Sequence, residues 1–289
     1  MLPTRAASSA PHAACGIPRT MTGCAIVPAY DAAHSVADVV RDLVRLWPDP
    51  QAVIVVDDGS NDATASLAER AGARVVRHAR NKGKGAALRT GFRVAHDAGF
   101  DVAVTVDADG QHAPADALRL LLDEAPRGAL VLGIRDLVKA GAPRPNQLSN
   151  RISNYFLSQF ARTPFADTQC GLRRYPLAAT LAADGGADGY AFEAEIILRA
   201  KASGVPVVEV PIDVIYPPED QRVSHFHSVR DPARIIVRVV STLVETRYMT
   251  RAPRQNLVAP PPPRDLRQPP SRGEQAAHHA ESAQRALAS

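Results

Sequence analysis

The chain has 289 residues, 45% of them hydrophobic and 22% charged, and a formal net charge of +4. This is the balance of a globular protein of one large or two small domains, with a mild positive charge that suits phosphates or an anionic membrane surface. Only 5% of residues are aromatic and the three cysteines (Cys15, Cys24, Cys170) form no CxxC pair, which argues against nucleic-acid stacking platforms, a disulfide framework and a zinc site, and no apolar run approaches the roughly 20 residues of a membrane span.

Residues 1–22 contain Pro3, Pro11, Pro18, Arg5 and Arg19 without an apolar centre, so a flexible leader is expected rather than a signal peptide. The folded domain is expected over residues 23–250. "CAIVPAY" predicts a strand ending at Pro28. "SVADVVRDLVRLW" predicts a helix, started by His34 or Ser35, with Val36, Val39, Val40, Leu43 and Leu46 on one side. "AVIVVDDGS" predicts a strand covered on both faces. "DATASLAERAG" predicts a helix capped by Ser60 or Asn61 and closed near Gly72. "ARVVRH", the helix "KGAALRTGFRVAHDAG" and the strand "DVAVTVDAD" follow. This alternation predicts an α/β fold with a mostly parallel central sheet flanked by helices. Farther on, "ADALRLLLDEA" reads as a helix and "GALVLGIR" as a strand. "NQLSNRISNYFLSQFAR" reads as an amphipathic helix with Leu148, Ile152, Tyr155, Phe156 and Phe160 at helical spacing. "VPVVEVPIDVIY" reads as a late edge strand interrupted by prolines. "DPARIIVRVVSTLVETRY" predicts a final helix with Arg230, Arg234 and Arg238 on one stripe. Residues 251–289, with Pro260 to Pro263, are expected to form a disordered Pro-rich tail.

In an open parallel sheet, ligands bind beyond the carboxyl ends of the strands, and four polar motifs fall there. "DADGQH" brings Asp107 and Asp109 together without a neighbouring Lys or Arg. With Gln111 and His112 they offer hard oxygen ligands and an imidazole, a set suited to Mg or Mn. Such a cation would supply the missing positive charge and could bridge a diphosphate. In "VVDDGSNDAT", Asp58 could accept from a base or a ribose. "RNKGKGAALRTG" lacks the GxxxxGK[ST] spacing and no GxGxxG follows the first strand, which disfavours Walker-type ATPases and nicotinamide dinucleotide sites. Lys82 and Lys84 could still sit near an anionic ligand.

Taken together, "VPAYDAAHSVADVV", "VVDDGSNDAT", "NKGKGAALRTG", "DADGQH" and "DTQCGLRRY" resemble the inverting family-2 glycosyltransferases, and most of all the branch of dolichol-phosphate mannosyltransferases and polyprenol-phosphate glycosyltransferases. The resemblance spans residues 23 to 215 and implies a GT-A-type nucleotide-sugar-binding fold, a nucleoside diphosphate sugar donor and transfer with inversion. It implies that Pro28, Ala29, Tyr30 and Asp31 line the base pocket and that Asp58 holds base or ribose. Asp107, Ala108 and Asp109 become the family's Asp-x-Asp, which holds metal and sugar diphosphate, with Gln111 as a further ligand. Arg135 joins the donor site, and Asp167, Gly171 and Arg173 lie beside donor sugar and acceptor. Where many relatives carry a Gly-Ser-Lys segment, this chain has "YPPEDQRVSHFHSVRD", in which Arg222, His225, His227 and Arg230 could cluster over the diphosphate.

A phosphate acceptor needs no general base, whereas a hydroxyl acceptor needs one. Asp167, Glu193 and Glu195 are the candidates, and on a helix only one of the two glutamates would face the site. The expectation is a metal-dependent hexosyltransferase acting on a lipid-linked acceptor, most simply polyprenyl phosphate. It would lie in the cytoplasm, peripheral on the inner face of the membrane. Transfer to a hydroxyl of another lipid or glycan, or sugar-nucleotide binding without turnover, are the alternatives.

Overall fold

The structure is a computed structural model and describes residues 22–214, 237–242, 244 and 245. The expected leader and tail, and the cluster of Arg222, His225, His227 and Arg230, lie outside the described residues.

Seven strands form one sheet: β1 (Gly23–Ala29), β2 (Val53–Asp57), β3 (Arg74–Arg77), β4 (Val102–Thr105), β5 (Leu130–Arg135), β6 (Arg173–Pro176) and β7 (Val207–Ile212). Their order is β3-β2-β1-β4-β6-β5-β7. All pairings are parallel except the two made by β6, which runs antiparallel to β4 and β5. The helices are α1 (Val36–Leu46), α2 (Thr64–Arg70), α3 (Lys84–Asp97), α4 (Pro114–Leu122), α5 (Arg144–Ala161), α6 (Leu177–Ala182) and α7 (Ala191–Ala202).

The apolar run of β2 is buried at all five positions, as a strand covered on both faces requires. Pro28 sits inside β1, yet the β1–β4 ladder has already ended at Ile26 opposite Thr105. The proline's missing N–H therefore costs no bond on that side. Pro211 lies in β7, which is an edge strand as expected. In α1, Val36, Val39, Val40 and Leu43 are buried, but Leu46 is 43% exposed, because the helix ends there and Trp47 takes over the core contact. The cap expected for α2 at Ser60 or Asn61 does not form: Ala63 takes the N-cap position and makes no side-chain cap bond. Asp62 accepts from Thr64 N at 2.9 Å, while Ser60 Oγ donates to Asp57 and accepts from Asp31 N.

The direction of β6 matters most for function. Residues at the carboxyl ends of β1, β2, β4 and β5 share one edge of the sheet. Because β6 runs the other way, its preceding segment, residues 167–172, returns to that same edge. Arg173 and Arg174 begin β6, and both are fully buried. Each guanidinium is held by backbone carbonyls, although Arg174 Nε makes no hydrogen bond. Arg173 donates to the carbonyls of Cys170, Thr168 and Glu193. Arg174 donates to those of Leu120, Asp123 and Ala125, among the carbonyls left open at and beyond the end of α4.

Candidate active site

Asp107 follows β4 and is the hub of the edge. Its Oδ1 lies 2.7 Å from Lys84 Nζ and its Oδ2 lies 3.7 Å from His112 Nε2. Burial alone would raise its pKa, but the Lys84 ammonium and the His112 contact outweigh that and hold it well below the usual carboxylate range. Asp109 responds in the opposite direction: desolvation and then the charge of Asp107 push its carboxyl above the ordinary aspartate value. The two carboxylates are thus unequal: Asp107 is neutralised by Lys84, and Asp109 is not.

The loop between them is well held. Ser35 Oγ donates to the Ala108 carbonyl at 2.6 Å, Gln111 N donates to Asp109 Oδ1 at 3.0 Å, and His112 bridges to Val214. Among the described residues no three His, Cys, Asp or Glu side chains gather as a metal cage. Two carboxylates with Gln111 nearby fit Mg or Mn all the same, since these ions take much of their coordination from substrate phosphate and water.

Lys84 is placed by what precedes it. Gly83 has φ +98, and a Cβ there would meet the Asp188 carbonyl at 2.4 Å. The Asp58 carboxylate accepts from Gly83 N at 2.6 Å, from Lys82 N at 3.0 and 3.1 Å, and contacts His78 Nδ1 at 2.6 Å. It is 3% exposed, and its oxygens are committed to the loop. Through these bonds the side chain positions the start of α3. Lys82 is exposed, whereas the Lys84 ammonium enters the site.

Pro28, Ala29, Tyr30 and Asp31 stand at the end of β1, next to the β2 loop. Asp31 has φ +46, and its Oδ1 accepts from Asn61 N at 2.8 Å. Those two loops are thus tied into one wall.

Arg135, at the end of β5, meets Asp167 with two bonds, Nε–Oδ2 at 2.7 Å and NH2–Oδ1 at 3.1 Å. Asn150 of α5 donates to Oδ1 at 2.8 Å. Burial would raise the Asp167 pKa, but Arg135 outweighs it and the carboxyl is lowered. A buried, cation-paired carboxylate with its oxygens so engaged is a poor proton acceptor, and its bonds fix the orientation of Arg135. The Arg173 guanidinium is enclosed and bonded to carbonyls, and it shapes the 168–171 segment and the start of α7.

The two glutamates of α7 are separated as the helix requires. Glu193 faces the site, with Oε1 3.2 Å from Lys84 Nζ. Glu195 points away into a buried network with Arg199 at 2.6 Å, Arg238 at 2.5 Å and the N–H groups of Gly186 and Ala187.

Two contributors, Asn150 and Ser35, carry no site role in the sequence reading, and a third, Gly171, contributes differently than expected. Asn150 has a signal there: Asn150, Ser153 and Asn154 recur at i, i+3, i+4 on one face of α5, and they bind residues 166–168. Ser35 was read only as a cap. Gly171 was read as part of a motif, but its role is spatial. A Cβ at Gly171 would lie 2.3 Å from Asp107 Oδ2, and its carbonyl is fixed by Thr105 Oγ1 at 2.6 Å. Gly171→Ala is therefore expected to displace the Asp107 carboxylate. Activity should fall by about 100-fold and stability by about 1–3 kcal/mol. Steady-state rates and urea unfolding of the same preparation check both.

A sheet of this order, with charged residues from β1, β2, β4 and β5 and the 167–172 return gathered on one edge, is the GT-A-type architecture of nucleotide-sugar enzymes. Residues 24–178 match the model of glycosyl transferase family 2, and the chain belongs to that family and is a glycosyltransferase. It is 32% identical over 203 residues to undecaprenyl-phosphate mannosyltransferase of Micrococcus luteus, covering 66% of this chain and 82% of that protein. It is 28% identical over 214 residues to UDP-N-acetylglucosamine–dolichyl-phosphate N-acetylglucosaminyltransferase of Methanococcus voltae, covering 66% and 84%. Among solved structures it is similar to glucosyl-3-phosphoglycerate synthase from Mycobacterium tuberculosis in complex with Mn2+, UDP-glucose and phosphoglyceric acid. The TM-score is 0.59, with 19% identity and 78% and 79% of the two chains covered. At that identity the likeness bears on the fold alone.

Proposed function

We propose that the protein transfers a hexose, with inversion, from a nucleoside diphosphate sugar to polyprenyl phosphate, using a divalent cation. The observation that carries this reading is the pairing of Asp107 and Asp109 beside Lys84 and Glu193 at the carboxyl edge of the sheet. The relatives named for undecaprenyl and dolichyl phosphate support the acceptor class.

Asp107 and Asp109, with Gln111, would hold Mg or Mn against the donor diphosphate, and when bound the ion would neutralise charge on that leaving group. Pro28, Ala29, Tyr30 and Asp31 line the base side. Asp58 acts through the loop that carries Lys84. Arg135, oriented by Asp167 and Asn150, supplies positive charge near the acceptor. In the transfer step an acceptor phosphate oxygen forms the new bond to the anomeric carbon. The bond from that carbon to the diphosphate breaks, and its electron pair leaves with the diphosphate. No proton has to be removed, which suits a site where Asp167 and Glu193 are both paired with cations. Transfer to a hydroxyl is the second reading, and Glu193 is the carboxylate placed to serve it.

Among the described residues no helix is long and apolar enough to cross a membrane. The α5 helix offers a different contact. Its polar residues face inward, while Leu148, Ile152, Tyr155 and Phe156 are 58%, 44%, 62% and 40% exposed. With the exposed Arg144 and Arg151 beside them, they suit peripheral attachment to an anionic bilayer on its cytoplasmic face. The final helix is described only from residue 237, so the Arg230 and Arg234 part of its stripe lies outside the described residues.

Incubation with radiolabelled UDP- and GDP-sugars, Mn2+ and either undecaprenyl phosphate or undecaprenol tests the reading. Label is expected in the lipid fraction with the phosphate and not with the alcohol. Transfer to the alcohol alone would favour the hydroxyl reading, and donor binding without transfer to any acceptor would contradict turnover.

A further inference from the structure

Lys84 is the first residue of α3, and its backbone is fixed from both sides. Asp58 holds the N–H groups of Lys82 and Gly83. Residues 187–189 close over Gly83 and Gly85, where a Cβ would come within 2.4 Å of the Asp188 and Ala187 carbonyls. From this anchor the ammonium reaches between two carboxylates, Asp107 at 2.7 Å and Glu193 at 3.2 Å, with the Tyr190 ring centroid 5.7 Å away. Glu193 Oε1 is buried and, despite the ion-pair distance, has no hydrogen bond of good geometry. The ammonium thus has a second acceptor close by that it has not fully engaged.

We propose that Lys84 is an exchangeable counter-ion that couples cation binding to donor binding. In the donor-free site its ammonium neutralises Asp107. A divalent cation arriving alone meets this like charge and binds weakly. A nucleoside diphosphate arriving with the cation adds compensating negative charge, and the ammonium shifts toward Glu193 and the diphosphate. Glu193 is then the seat that accepts the displaced ammonium, a positioning role. The inference rests on the donor-site reading above and adds to it an order of events: metal and donor enter as a unit.

The test is Mn2+ binding to the full chain, followed by electron paramagnetic resonance of free Mn2+, with and without UDP or GDP. In Lys84→Met the affinity for Mn2+ alone is expected to rise by about tenfold or more, because a unit charge near the ion is removed. The enhancement of Mn2+ binding by nucleotide should shrink by a similar factor, since coupling is reciprocal. Glu193→Gln is expected to act in the opposite direction, weakening Mn2+ binding by leaving the ammonium on Asp107, and it keeps the test available if Lys84→Met does not fold. A folded Lys84→Met with unchanged or weaker Mn2+ binding would overturn the proposal, as would an unaffected Glu193→Gln. If the wild type still shows Mn-dependent nucleotide binding in that case, the donor site stands and only the Lys84 role fails. If the wild type binds neither nucleotide with Mn2+, both fall together.

Discussion

Asp107→Asn is expected to lower kcat/KM for sugar transfer by about 10²–10³-fold, the scale of losing one preorganised electrostatic contact at a reacting centre. The substitution keeps the volume and removes the charge around which Lys84, His112 and the Gly171 backbone are arranged. It should also destabilise the protein, because Lys84 is left with Glu193 alone. Asp109→Asn provides the contrast. Its carboxyl titrates above the ordinary aspartate value, through desolvation and repulsion from Asp107, so ionisation at neutral pH works against the folded state. Removing that charge should raise Tm or leave it unchanged while activity falls. Initial rates with a Mn-donor mixture, alongside thermal unfolding of both variants, check the prediction. Opposite signs in Tm with a common loss of activity distinguish a functional carboxylate pair from a turn.

The second large effect concerns the Arg135–Asp167 pair. Asp167 is 1% exposed, so Arg135→Met strands a buried carboxylate. At neutral pH this should cost about 3–5 kcal/mol, the usual penalty for removing one partner of a buried ion pair. The sign with pH follows from the lowered folded-state pKa of Asp167. In the wild type this pairing contributes stability that is present above the ordinary aspartate value and lost as pH falls through the depressed folded value. Without Arg135 the Asp167 pKa rises, so the variant loses less on acidification. The gap between wild type and variant should be widest near pH 7 and narrow toward pH 4. Urea unfolding across that range measures it, and a gap that does not depend on pH would contradict the assignment.

Much of this arrangement is legible in the sequence because it depends on local pattern. The alternation of β1 to β4 with α1 to α3 follows from buried runs and amphipathic periods. Asp107 and Asp109 are conspicuous as two like charges after a buried strand. The strand β6 is different. "RRYP" opens with two arginines, and both are buried: Arg173 donates to the nearby carbonyls of Cys170 and Thr168, and Arg174 to the distant ones of Asp123 and Ala125. Its antiparallel direction, which returns Asp167 and Gly171 to the active edge, depends on pairing with β4 and β5 and leaves no local mark.

The same distinction separates what local pattern shows from the contacts that the fold adds. Asp58 reads as a ligand group because it ends a strand, but the N–H groups that occupy it lie 24 and 25 residues onward. The apolar stripe of α5 reads only as one face of an amphipathic helix by periodicity. The structure turns Leu148, Ile152, Tyr155 and Phe156 outward and keeps Phe160 against the core, because Asn150, Ser153 and Asn154 on the other side bind the 166–168 segment. Gly171 contributes by having no side chain, which only its 2.3 Å approach to Asp107 reveals.

In the proposed reading the carboxylates after β4 stand together to hold a cation against a nucleoside diphosphate. Calorimetric titration of UDP and GDP into the wild type and Asp109→Asn, with and without Mn2+, tests it most directly. Metal-dependent binding of one nucleotide, lost in Asp109→Asn, is the predicted result and would identify the donor base. Nucleotide binding that is indifferent to Mn2+ and to Asp109, or no binding by the folded wild type, would contradict the account.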